Sequence, residues 1–198
     1  LITAIGVSYF LQNAAQLIWG ATPKNFTSIV NFPVPEALRA YNISSVAIVT
    51  VLACLLIMAA LMWFTGHTKM GKAMRAVSED KAAAQLMGIN VNRTISMTFA
   101  IGSALAAIAG VLLCSYSPVL QPTTGSMPGI KAFTAAVFGG IGSIPGAFVG
   151  GILLGIIEAM AQAYISTSLA NSIVFGVLIV VLLVKPAGLF GKYVPEKV

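Results

Sequence analysis

A chain of 198 residues with 58% hydrophobic residues, 8% charged residues and a mean hydropathy of +0.95 is not a soluble globular domain, where roughly a quarter of residues carry charge. Several segments approach or exceed the ~18 apolar residues needed to cross a bilayer. The formal charge of +6 is therefore no nucleic-acid signal, and the distribution of Lys and Arg among loops carries more information than the total.

In chain order, the apolar runs predict spans at 1–18, 43–64, 94–116, 145–165 and 170–185, with a shorter helix at 129–140. The expected fold is all-α: a polytopic membrane protein with about five transmembrane helices, a shorter broken or re-entrant helix and one cytoplasmic helix, forming a single domain over 1–198. The chain opens inside an apolar run without Met, and no basic region precedes a small-residue cleavage site. It reads as a piece of a longer protein. The polar segment 19–42 holds Pro23, Pro33 and Pro35 and is expected to be exposed and largely extended. In 117–129, Pro118, Pro122, Gly125 and Pro128 break any continuous helix.

The one long charged stretch, 65–93, carries Lys69, Lys72, Arg75, Glu79, Asp80, Lys81 and Arg93, seven of the sixteen Asp, Glu, Lys and Arg residues. Charge so concentrated must sit in water. Within it, 78–88 predicts a helix of ~15 Å. Ser78 is the expected N-cap, Glu79 and Asp80 fill the first turn, and Gly88 stands just past the end. Ala83, Leu86 and Met87 suit a shallow groove on another protein, whereas Glu79 and Asp80 suit an anionic headgroup surface poorly. Just upstream, GHTKMGK at 66–72 matches the first seven positions of a phosphate-binding loop. Ala73 stands where magnesium binding needs a hydroxyl, and the segment follows a membrane helix rather than a strand, so nucleotide binding here is rejected.

Orientation follows from the basic residues. With 65–93 and the tail after 184 on the cytoplasmic side, eight Lys and Arg lie inside (Lys69, Lys72, Arg75, Lys81, Arg93, Lys185, Lys192, Lys197). Three lie outside: Lys24, Arg39 and Lys131. Trp19, Tyr41, Tyr116 and Tyr164 then fall at outer ends, and Trp63, Phe64 and Tyr193 at inner ones, where amphipathic rings meet the headgroups.

The run GGIGSIPG at 139–146 is a helix break at membrane depth, read either as a tight hairpin or as the discontinuity that flanks a substrate path. Gly140, Gly142, Ser143 and Pro145 are its candidate residues. Beyond it, Ala147, Gly151, Gly155, Ala159 and Ala163 recur every four residues as a smooth ridge. Beside it, Gly142, Gly146 and Gly150 form a second ridge that continues to Leu154, Glu158 and Gln162. Glu158 is the only acid expected inside a span, where a charge costs ~3 kcal/mol on insertion scales. It is expected to pair with Lys131, the alternative being a polar contact on the solute path. Cys54 and Cys114 read as two buried, reduced cysteines within spans, the alternative being a disulfide or metal pair. His67 stands alone, and no catalytic constellation is present.

KAMRAVSED at 72–80, running on to LMGIN at 86–90, resembles the cytoplasmic coupling segment of branched-chain amino-acid ABC permeases of the LivH type. The stretch at 127–147, from Met127 to the GGIGSIPG run, resembles that family more specifically, as do LQN at 11–13 and KPAGLFG at 185–191. The similarity covers essentially the whole chain. Residues 82–88 also resemble the E-A-A-x-x-x-G loop of ABC importers, with Ala82 in place of its Glu.

The resemblance implies a permease subunit of an ATP-driven importer in a bacterial inner membrane, carrying branched-chain or other hydrophobic amino acids. Two ATPase subunits holding ATP and Mg, a second permease, an extracytoplasmic solute-binding protein and membrane lipid would be its partners. Nucleic acid would not be one, and the chain itself would bind no cofactor or metal. Ser78, Glu79, Asp80, Ala83, Ala84, Leu86, Met87 and Gly88 would couple to the ATPase. It also implies that further N-terminal helices are missing here. A related permease for urea or short amides is the nearest alternative. An ion-coupled secondary transporter would show inverted repeats and paired intramembrane charges.

Overall fold

The computed structural model describes residues 2–27 and 44–191. Pro33, Pro35, Arg39, Tyr41, Lys192, Tyr193 and Lys197, used in the readings above, lie outside the described residues. The chain divides into two compact units, Leu1–Gly125 and Ser126–Val198.

In the first unit, α1 (Ile2–Trp19) is followed by β1 (Lys24–Asn25), α2 (Ser45–His67), α3 (Lys69–Glu79), α4 (Lys81–Leu86), α5 (Val91–Tyr116) and β2 (Val119–Leu120). The polar side chains of α1 turn back onto their own helix: Asn13 Nδ2 donates to the Tyr9 carbonyl at 2.8 Å and Gln12 Nε2 to Ser8 Oγ at 3.2 Å. β1 and β2 pair antiparallel, Lys24 opposite Leu120 and Asn25 opposite Val119, so part of the extended connection is a two-stranded ribbon. α2 runs past its expected end because Thr65 Oγ1 donates to the Leu61 carbonyl (2.8 Å), satisfying its hydroxyl within the helix. α5 starts before its expected position because Asn90 Oδ1 accepts from the Arg93 amide at 3.0 Å, which places Arg93 in the first turn.

The second unit holds α6 (Ser126–Gly139), α7 (Ile144–Tyr164) and α8 (Ala170–Val184). α6 begins earlier than the 129 expected. Pro128 does not delay it, since a first-turn residue needs no amide donor. α6 and α7 form a helical hairpin against which α8 packs. Its core is Ala135, Phe138, Leu154 and Val174, with Val177, Val181 and Leu189 packed around them.

By length and composition α2, α5 and α7 can each cross a membrane. α8 is apolar but has 15 residues, or about 22 Å at 1.5 Å per residue. α6 has 14 residues, and α1 has 18 but carries Gln12, Asn13 and Gln16. The most apolar windows of α2 and α5 are only 6% buried, against 22% for α7, so the packed core sits at the α6–α7 hairpin. The apolar surface of α2 and α5 is suited to lipid, which is itself as apolar as Leu.

Candidate functional site

The charged stretch folds as two helices, which corrects the single helix expected over 78–88. Asp80 is extended (φ −152°, ψ 114°) and separates α3 from α4. Its amide donates to the Ala76 carbonyl at 3.1 Å, closing α3. Its carboxylate accepts from the amides of Ala82 (2.8 Å) and Ala83 (3.1 Å), opening α4. Asp80, not Ser78, is therefore the N-cap. Ser78 lies in the last turn of α3 and its Oγ donates to the Arg75 carbonyl at 2.7 Å. Glu79 ends α3 rather than starting the next helix. The upstream signal was the spacing of Met70, Met74 and Val77, which continues a helix begun under the Thr68 cap and buries Val77.

The end of α4 matches expectation. Gly88 has φ 81°, its amide donates to the Gln85 carbonyl (3.0 Å), and the Ile89 amide donates to the Ala84 carbonyl (3.0 Å). These two bonds are a Schellman closure, whose left-handed residue glycine adopts without strain. α4 is six residues, about 9 Å, packed on α3 and α5. Ala84 is buried at its base and Ala83 is exposed, while Leu86 and Met87 are 89% and 83% exposed. A polar cleft of about 760 Å³, lined by Lys81, Gln85, Asn90 and Asn92, opens beside them. Spacing did not reveal that cleft, because its walls are the side of α4 and the start of α5. Asp80→Ala is expected to cost about 1 kcal/mol of loop stability, whereas Ser78→Ala should stay within about 0.5 kcal/mol. Thermal unfolding of the two purified variants checks this.

The phosphate-loop lookalike is a helix–helix corner. Thr68 Oγ1 donates to the Phe64 carbonyl (2.7 Å) and accepts from the Gly71 amide (3.0 Å), ending α2 and starting α3. A Cβ on Gly71 would meet Thr65 Cα at 2.5 Å, so close approach requires glycine at this position.

In the second unit, the 139–146 run makes the turn of the α6–α7 hairpin. Gly140 (φ 108°) and Gly142 (φ 91°) reverse the chain. Ser143 caps α7 by accepting from the Gly146 amide at 3.1 Å, and Pro145 occupies the first turn. Of the two ridges, Gly146 and Gly150 are buried against α6: a Cβ on Gly150 would lie 2.6 Å from the Ala135 carbonyl oxygen. Gly151, Gly155, Ala159 and Ala163 on the other ridge remain exposed.

The segment after α8 completes the turn. The Gly140 amide is shared between the Ala136 (3.1 Å) and Val137 (3.2 Å) carbonyls. Leu189 donates to the Phe138 carbonyl and Phe190 to the Gly139 carbonyl, both at 2.9 Å. All four carbonyls left over at the end of α6 thus have donors. Gly188 approaches Gly140 so closely that a Cβ would stand 2.7 Å from its Cα.

Glu158 on α7 meets Lys131 on α6, as expected: Lys131 Nζ donates to Glu158 Oε1 at 2.6 Å, and Gln162 Nε2 donates to the same oxygen at 3.1 Å. Cys54 and Cys114 are free thiols, half-buried rather than buried as expected. Among the described residues no three His, Cys, Asp or Glu side chains come together as a metal site.

Residues 1–183 match the family described as branched-chain amino acid transport system / permease component. The chain is 46% identical over 201 residues to the high-affinity branched-chain amino acid transport system permease protein LivH of Escherichia coli K12, covering all of this chain and 65% of that protein. It is 44% identical over 201 residues to BraD of Pseudomonas aeruginosa, a permease protein described in the same words, covering all of this chain and 66% of the relative. A probable branched-chain amino acid transport permease protein LivH of Methanocaldococcus jannaschii is 31% identical over 158 residues, 76% of this chain and 50% of its own. The chain thus spans just under two thirds of the length of its nearer relatives among these. No solved structure matches it. With its apolar helices and a family match over nearly its whole length, the chain belongs to the branched-chain amino acid permeases of the LivH type.

Proposed function

We propose that this chain forms most of the membrane-spanning permease subunit of an ATP-driven importer for leucine, isoleucine, valine or other hydrophobic amino acids, in a bacterial inner membrane. α1, α2, α5, α7 and α8 are its spans within one permease domain, and α6 enters from the outer side to the hairpin turn. The 65–93 loop and the C-terminal tail are cytoplasmic, in keeping with the bias of Lys and Arg. ATP and Mg belong to two separate ATPase subunits, and this chain holds no cofactor and catalyses no reaction. A second permease subunit completes the pathway, and a solute-binding protein docks on the outer segments 19–42 and 117–129.

The observation that carries this reading is α4. A capped, six-residue helix is held on α3 and α5 with Leu86 and Met87 exposed at its end, a rigid projection suited to a groove on an ATPase. Movement of that groove would be passed through α3 to α2 and α5, the helices that change packing between outward- and inward-facing states. The test is a full-length permease reconstituted with its complex in liposomes. Binding protein loaded with leucine should stimulate ATP hydrolysis and uptake, and binding protein loaded with urea should not. Stimulation by urea alone would reassign the solute. Uptake that persists without ATP but collapses with the proton gradient would remove the chain from the ATP-driven class.

A further inference from the structure

The Lys131–Glu158 contact does not exhaust either group. Both donors, Lys131 Nζ and Gln162 Nε2, reach Glu158 Oε1, and among the described residues Oε2 accepts no hydrogen bond. No buried polar side-chain atom among them lacks a partner, so Oε2 lies at accessible surface. The Lys131 ammonium has three donors and uses one. Side-chain accessibility of 28% for Lys131 and 23% for Glu158 agrees. Facing hydrocarbon, these spare valences would be costly, so this side of the hairpin is suited to water or a polar guest.

Resting on the functional reading above, we propose that Lys131 and Glu158 receive the charged head of the translocated amino acid. Lys131 donates to the solute carboxylate and Glu158 Oε2 accepts from the solute ammonium. The charge balance favours this role. The empty site is a closed ion pair of zero net charge, and the loaded site exchanges that one pair for two, again with zero net charge. Neither state leaves an uncompensated ion at membrane depth. Gln162, one turn beyond Glu158, is a positioning residue that holds the carboxylate as Lys131 swings to the solute. The ligand class is an α-amino acid bearing both charges, rather than an uncharged amide.

The experiment uses the complete complex in liposomes, with leucine-loaded binding protein and the double variant Lys131→Met with Glu158→Leu. Removing both charges leaves none unpaired. The variant is expected to assemble with the ATPase subunits, while leucine taken up per ATP hydrolysed falls at least about tenfold. Wild-type uptake per ATP in that variant would make the pair a purely structural contact and overturn the proposal. If the variant does not accumulate, the exchanged pair Lys131→Glu with Glu158→Lys restores the ion pair with its polarity reversed. That variant should accumulate and still lose uptake, and wild-type uptake by it would equally overturn the site. A wild-type complex that carries no amino acid with ATP would instead overturn the functional reading itself.

Discussion

On the proposed function, replacing Leu86 and Met87 together by Gln is expected to leave the permease folded and inserted but to weaken its hold on the ATPase subunits at least about thirty-fold. Both side chains project almost wholly into solvent, so folding asks nothing of them. Gln keeps good helix propensity and adds no charge, which confines the change to lost apolar contact. Thirty-fold corresponds to about 2 kcal/mol in total, the loss of one hot-spot contact at the centre of an interface. Co-purification of ATPase with the membrane subunit, and stimulation of ATP hydrolysis by leucine-loaded binding protein, should fall together. Full stimulation in this variant would show that the end of α4 is not the contact.

The second large effect belongs to the hairpin. Gly139→Val should destabilise the second unit by more than about 3 kcal/mol, because its Cβ would overlap the Gly146 carbonyl, and backbone, unlike a flexible side chain, cannot step aside. Gly155→Ala provides the contrast. Nothing lies within 4 Å of its added Cβ, so it should be neutral or slightly stabilising through helix propensity. Thermal unfolding of the two variants in detergent separates them. Equal stability would mean that the close approach of α6 and α7 is not what holds the hairpin together.

Much of this was legible in the sequence. Long apolar runs fixed the helices to within a few residues, since length and composition alone decide what can cross a bilayer. The Lys131–Glu158 contact was legible for a related reason: an acid among apolar residues needs a partner, and few were within reach. The Asp80 break was not, because Ser78 and Asp80 are equally good caps, and the choice lay with the burial of Val77 upstream. Pro128 misled because a proline that ends one helix is tolerated in the first turn of another. The docking of 188–190 on the end of α6 was also invisible. It consists of amides meeting carbonyls across a long sequence separation, and backbone groups carry no residue signature.

That docking orders events during synthesis. α6 is complete long before the ribosome reaches Leu189 and Phe190, yet among the described residues the carbonyls of Phe138 and Gly139 receive their backbone donors from those two. Until then the hairpin turn must borrow water or some other donor at a helix end. The turn emerges two hydrogen bonds short of its final form, and a stretch of chain made well after it supplies them.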